Sequence, residues 1–170
     1  MNRNAAYQVI FFFLYLLAQV VLLKRLVLFD TSFCFLYVVF ILMLPNETNN
    51  LLLIAIGFLM GFCVDIFYDS LGLHAFSLVM VAYLRNYWLN AITPQGGYDS
   101  NTSPSLAMNG LQWFLVYTLP LVFVHHAVLF FVEAGGFGLF WYTMLKIIGS
   151  LVFTTAIMLM LQYVGSPRRL

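Results

Sequence analysis

Charge is what this chain has least of. Seven Lys or Arg and six Asp or Glu among 170 residues make 8% of the sequence, where soluble domains carry about 25%. A water-facing surface cannot be built from so few ionised groups, so an ordinary soluble globule is excluded and most of the outer surface is expected to face lipid. The net charge of +1 cannot neutralise a run of phosphates, which argues against nucleic acid as a partner. Cysteine is scarce too. Cys34 and Cys63 both lie in apolar runs, so neither a disulfide framework nor a four-ligand zinc site is expected, and both read as small buried hydrophobes.

Apolar and aromatic side chains fill the space instead, at 64% and 18% of the chain, with a mean hydropathy of +0.98. A bilayer core takes about 20 helical residues to cross, and six apolar stretches approach that length: residues 5–23, 28–44, 51–68, 71–89, 111–132 and 137–164. Lys24 and Arg25 end the first. It is longer than a signal-peptide core and no small-x-small cleavage pattern follows, so it is expected to be retained. The second reaches crossing length only by running back through Asp30, and a turn from Pro45 to Asn50 closes it. Asp69 and Ser70 alone separate the third from the fourth. Residues 93–104 form the long polar stretch, a surface loop, in which Ser103 before Pro104 suits a helix start. Continuous apolarity rather than alternation excludes a β-barrel. The expectation is therefore an all-α fold, a single integral membrane domain over residues 1–170 with six transmembrane helices. Six spans put both ends on one side, and Arg3, Arg85, Arg168 and Arg169 outnumber Lys24 and Arg25, so the positive-inside rule places both termini in the cytoplasm.

A charge at mid-bilayer costs about 2.5–3.5 kcal/mol even on insertion scales, so the charged residues inside spans, Asp65 and Lys146, carry information. Gly57, Gly61, Asp65 and Asp69 recur every four residues and share one helical stripe. Two such glycines let a neighbouring backbone come close, which would turn the carboxylate inward. Asp65 lies one turn before the corner, about 6 Å below that membrane face at ~1.5 Å per residue. It reads either as a local cap that fixes the corner or as half of an intramembrane ion pair with Lys146, which enters the sixth span from the same side; His125 and His126 are other partners within reach of Lys146. Asp69-Ser70-Leu71-Gly72 reads as a tight corner in which Gly72 supplies backbone freedom. His74, near a helix start, reads as a hydrogen-bonded structural residue rather than a ligand. His125 and His126 point about 100° apart on a helix and cannot both meet one metal unaided. Lys24, Arg25, Arg85, Arg168 and Arg169 read as edge residues that snorkel to headgroups, and Tyr87, Trp88, Trp113, Trp141 and Tyr142 as an aromatic belt. The sequence holds no nucleophile with its base, no facing aspartate pair, no HExxH and no phosphate loop, so no catalytic, cofactor or metal residues are expected.

The third and fourth spans carry a recognisable pattern: Gly57-Phe58-Leu59-Met60-Gly61-Phe62-Cys63-Val64-Asp65, then Asp69-Ser70-Leu71-Gly72-Leu73-His74-Ala75-Phe76, then Val81-Ala82-Tyr83-Leu84. This resembles the bacterial MreD family of rod-shape-determining membrane proteins, whose pattern is two glycines, an aspartate four residues on, Pro-Leu-Gly-Leu-His-Ala and a helix ending in Val-Ala-Tyr-Leu. Ser70 stands where the family usually has proline, and Asp30 alone represents the Arg-Pro-Asp that often precedes its second span. The resemblance implies a non-enzymatic scaffold of the cell-elongation complex in the bacterial cytoplasmic (inner) membrane, with both termini cytoplasmic. Gly57, Gly61, Asp65, Asp69, Leu71, Gly72, His74 and Ala75 are its motif and helix-packing residues. It further implies docking of an MreC-like bitopic partner, support of peptidoglycan synthesis by RodA and a penicillin-binding transpeptidase in concert with MreB, and a fold similar to the six-helix substrate-binding components of energy-coupling vitamin transporters. A small-molecule (vitamin-type) binding component of such a transporter is the alternative. Those components usually show Ala-x-x-x-Ala on the first helix, and Tyr7 to Leu23 has none, which favours the scaffold.

Overall fold

The computed structural model describes residues 3–98 and 102–165; loop residues 99–101, together with Arg168 and Arg169, lie outside the described residues. The chain is mostly helical. Helix α1 (Arg3–Leu17) runs on as a π-helical stretch, Ala18–Leu23. A two-stranded hairpin, β1 (Val27–Leu28) and β2 (Ser32–Phe33), leads to a six-residue helix α2 (Tyr37–Leu42). Four longer helices come after it: α3 (Asn50–Tyr68), α4 (Leu73–Ala91), α5 (Leu106–Glu133) and α6 (Phe140–Gly165). Ala6–Leu23, α3, α5 and α6 are long and apolar enough to cross a bilayer, which marks a helical membrane protein. α4 matches α3 in length at 19 residues but carries His74, Arg85, Asn86 and Asn90 along it.

Helices α3 to α6 pack in chain order, each against the next. The α3–α4 contact is the closest, and glycine makes it so. A Cβ at position 61 would lie 2.4 Å from Ala75 Cα and 2.7 Å from Ala75 N, and one at position 57 would meet Ala82 Cβ at 3.2 Å. The corner between them is tight: Asp69 and Leu71 hold φ of 55° and 33°, and Gly72 holds 91°. Glycine takes such values freely and aspartate tolerates the left-handed region, whereas leucine rarely adopts it.

The expected second spanning helix over residues 28–44 does not form. Its first part is a hairpin whose central residues Phe29 and Asp30 both have positive φ and whose turn closes with Thr31 N donating to Leu28 O at 3.2 Å. β1 and β2 pair antiparallel, Val27 with Phe33 and Leu28 with Ser32. The chain then climbs through the bundle as an irregular stretch continued by α2, about 9 Å long at ~1.5 Å per residue. Every residue from Cys34 to Leu42 is at most 6% exposed. The physical reason lies in the partners that neighbouring helices offer the backbone: Ser150 Oγ and Thr154 Oγ1 accept from the N–H groups of Phe33 and Phe35, and Gln19 Oε1 from that of Leu36, so the stretch before α2 has its polar groups met without being helical. Irregular backbone survives at membrane depth only when protein encloses it, and here the longer helices form the sheath. Gly149 on α6 makes room for the hairpin: a Cβ there would fall 2.3 Å from Ser32 Oγ.

α5 begins at Leu106 rather than at residue 111, with Ser105 Oγ accepting from Met108 N at 3.3 Å. Ser105, not Ser103, is the capping serine. Gly110, at φ 79° and ψ 166°, interrupts the first turn, and the continuous part starts at Leu111. Tyr7, Pro45, Ser103 and Gly165 line one cleft, so the described chain starts and stops at the same end of the bundle.

Candidate functional site

The buried polar groups gather along the enclosed segment and at the α3–α4 corner. Asp65, 5% exposed, accepts from Ser70 Oγ at 2.6 Å, His74 N at 3.0 Å and Ala75 N at 2.9 Å. The two N–H groups belong to the first turn of α4, where backbone donors have no partner within their own helix. Asp65 therefore caps α4 from the neighbouring helix, an acid at the positive end of a helix dipole. Of the two roles open to Asp65, the structure supports the cap.

The Asp65–Lys146 ion pair is not present. Lys146 Nζ donates to Glu133 Oε2 at 2.9 Å and sits 4.6 Å from the Phe130 ring centroid and 5.3 Å from that of Phe33. It takes the carboxylate that closes α5. Arg85 also departs from the expected edge position. It does not snorkel to an edge but is 0% exposed. Its Nε donates to Tyr117 OH at 3.0 Å, and Nη2 donates to the carbonyls of Leu42, Leu44 and Pro45, with Leu42 and Pro45 at 3.5 and 3.4 Å. Tyr117 in turn donates to Leu42 O at 2.8 Å. Arg85 thus closes the carbonyl end of α2 as Asp65 closes the amide end of α4.

The His74 side chain also has a buried partner. Tyr37 OH stands 2.7 Å from His74 Nδ1 and 2.7 Å from His125 Nε2. One hydroxyl proton cannot serve both nitrogens, so Tyr37 donates to one imidazole and accepts from the other. His125 Nδ1 is buried without a partner among the described residues, and an orphaned acceptor is less costly than an orphaned N–H. The favoured arrangement has His125 Nε2–H donating to Tyr37, and Tyr37 donating to His74 Nδ1. His126 stands apart, as its position on the helix requires. Its Nδ1 faces Val122 O at 2.7 Å and must carry the proton, so Thr154 Oγ1, 3.3 Å from Nε2, is placed to donate to it. No group of three His, Cys, Asp or Glu side chains converges on a metal-sized site among the described residues.

Sequence reasoning missed Gln19, Ser150 and Thr154, which serve the irregular backbone. Gln19 Nε2 donates to Cys34 O at 3.1 Å and Tyr68 OH at 2.7 Å, while its Oε1 accepts from Leu36 N at 2.7 Å. Ser150 Oγ accepts from Phe33 N at 2.9 Å, and Thr154 Oγ1 from Phe35 N at 3.1 Å. Each is a polar side chain inside an apolar run, the signal that could have found them. Cys34 is buried as expected, whereas Cys63 is half-buried.

Beside the corner, α3 and α4 leave an open groove of about 680 Å³. Phe58, Phe62, Ile66 and Phe76 wall it with exposed side chains, and Asp69, Leu71, Gly72 and Ala75 line its corner end. Seven of the eight motif residues, all but Leu71, therefore fall into a packed set of Gly57, Gly61, Asp65, His74 and Ala75 and a corner of Asp69 and Gly72; Leu71 projects fully outward. Comparison of the chain with protein-family models, with the curated proteins and with solved structures returns no match.

Proposed function

We propose that the chain is a non-enzymatic scaffold of the bacterial cell-elongation complex, docking an MreC-like bitopic partner in the inner membrane. The observation that carries this reading is the convergence of the motif residues on the α3–α4 corner, next to an open aromatic groove. A docking surface binds best when it is rigid before the partner arrives. The glycine contact and the three donors on Asp65 supply that rigidity, and Phe58, Phe62 and Phe76 supply apolar anchors. In this reading the four apolar helices, α4 and the enclosed segment make six crossings, both termini are cytoplasmic, and the docked partner supports peptidoglycan synthesis by RodA and a penicillin-binding transpeptidase in concert with MreB. The small-molecule alternative needs an open interior between the helices. Phe35, Tyr37 and Phe114 occupy it as buried side chains, which favours the scaffold.

The test is capture of an MreC-like protein by the full chain in detergent. Replacing Phe58, Phe62 and Phe76 by alanine removes exposed anchors without touching the core, so capture should fall by about tenfold or more, which is ~1.4 kcal/mol or more, with unfolding unchanged. Capture and rod shape that survive both this triple variant and Gly61→Leu would end the docking reading.

A further inference from the structure

Two carboxylates reach the α3–α4 groove, and the corner treats them differently. Asp65 is saturated by its three donors. Asp69, one turn on, is exposed and lines the same groove, and its side chain makes no hydrogen bond or ion pair among the described residues. Its position is also an unfavourable one for an acid. Asp69 is the C-cap of α3, at φ 55° and ψ 41°, where the helix dipole is negative and favours a cation. Left-handed positions at helix ends usually go to glycine, sometimes to asparagine, and either would fill this one without a charge. The last turn of α3 holds no basic residue. Lys24 reaches this end of the helix, but its Nζ donates to Phe67 O, lies 5.3 Å from the Tyr68 ring centroid and forms no ion pair. The groove therefore carries an uncompensated acid at its corner end.

We propose that Asp69 is the recognition charge of the docking groove, and that the partner's transmembrane helix carries a lysine or arginine level with it. This rests on the docking reading above and adds the partner's chemistry. Apolarity cannot select one helix in a bilayer, because lipid tails are as apolar as the helices themselves. Selection has to come from fit and from polar groups. Phe58 and Phe62 supply a flat wall, with ring centroids 5.8 Å apart and planes within 12° of each other, and from Asp69 back to Phe58 that wall runs about 17 Å, or about three helical turns. The polar mark is Asp69, since Asp65 is saturated and Ser70 Oγ is committed to it. A helix laid along this wall would place a basic residue at the corner end and apolar residues over the turns that follow. A zwitterionic lipid headgroup matches less well, because its ammonium brings a phosphate that a carboxylate repels.

The experiment extends the detergent capture of an MreC-like protein by the full chain. Asp69→Asn keeps a residue that tolerates the left-handed cap and removes the charge. It should lower capture about fivefold, the upper range for an exposed ion pair, while raising the folding equilibrium constant about twofold by relieving the helix end. A residue with a purely structural role would move both in the same direction. Raising the salt concentration should weaken wild-type capture toward the level of Asp69→Asn and leave that variant unmoved. Asp69→Lys should lower capture by about tenfold or more, and changing to glutamate, one at a time, each lysine or arginine near the ends of the partner's transmembrane helix should restore it at one position. Absent wild-type capture overturns the docking reading and this proposal with it. Capture that the phenylalanine triple variant loses and both Asp69 variants keep overturns the proposal alone. So does a loss in Asp69→Lys that no partner reversal restores, a loss in Asp69→Asn seen only when phosphatidylethanolamine is supplied, or a dimer of the chain by itself that Asp69→Lys dissolves.

Discussion

Asp65→Ala is the most informative single change, because the carboxylate holds two helices together through three donors. Ser70 Oγ is 2.6 Å away, and the N–H groups of His74 and Ala75 are 3.0 and 2.9 Å away. Hydrogen bonds to charged groups contribute about 1.5–3 kcal/mol each in soluble proteins, whereas side-chain hydrogen bonds in membranes average about 0.6 and reach about 1.7 kcal/mol. Water at the nearby face can serve part of what is lost, so the alanine variant should lose about 3 kcal/mol of stability. Reversible unfolding in mixed micelles, followed by circular dichroism, measures this. Asp65→Asn keeps an acceptor but turns an amide donor toward N–H groups, and should recover at most half. Ser70→Ala should cost about 1 kcal/mol alone and almost nothing in the Asp65→Ala background, because its partner is then gone. A loss below about 0.5 kcal/mol for Asp65→Ala, the range of ordinary surface substitutions, or strict additivity with Ser70→Ala, would refute the cap.

The two glycines should separate cleanly in the same assay. Gly61→Ala drives a Cβ into Ala75 backbone at 2.4 Å and should cost about 3 kcal/mol, the upper range for overpacking. Gly57→Ala meets only the Ala82 methyl at 3.2 Å and should cost less than about 1 kcal/mol; equal losses would sink the close-approach argument. Arg85→Met keeps the apolar stem but strips its donors from the Leu42, Leu44 and Pro45 carbonyls, and should lose about 2–4 kcal/mol, as buried acceptors left unmet require. Lys146→Gln breaks an ion pair whose Glu133 side chain is 49% exposed, and should move stability by less than about 1 kcal/mol.

The membrane class and the long helices were legible because both rest on runs of apolar residues, and the stripe from Gly57 to Asp65 because four-residue spacing maps onto one helical face. What escaped was register in depth. Residues 28–44 are as apolar as a spanning helix, and hydropathy does not distinguish a stretch that faces lipid from one that is sheathed by protein. The readable trace of the broken form was Gln19, Ser150 and Thr154, polar side chains in neighbouring spans that meet its backbone. Arg85 was misplaced for a related reason. Its position near the end of α4 fits an edge anchor, and only the return of Leu42 to Pro45 to its level gives it carbonyls to bind. Leu71 belongs to the motif by sequence, yet its side chain projects away from the packed contact, as a corner with four consecutive non-helical residues, Asp69 to Gly72, allows.

Asp65 and Arg85 also explain why an ion pair is unnecessary in this core. A charge in hydrocarbon is costly because it lacks dipoles to solvate it, and a helix end in hydrocarbon is costly because its dipoles lack a partner. Each deficit is the other's remedy. Asp65 meets the amide end of α4 and Arg85 the carbonyl end of α2, so an acid and a base are solvated by backbone of the appropriate sign while lying on different helices and bonding different elements. A salt bridge between two long side chains would solvate both charges but leave the helix ends unmet. The broken second crossing and the buried charges are therefore two aspects of one arrangement: without Arg85 the segment could not stop at Leu42 inside the bundle, and without that stop Arg85 would have no reason to be buried.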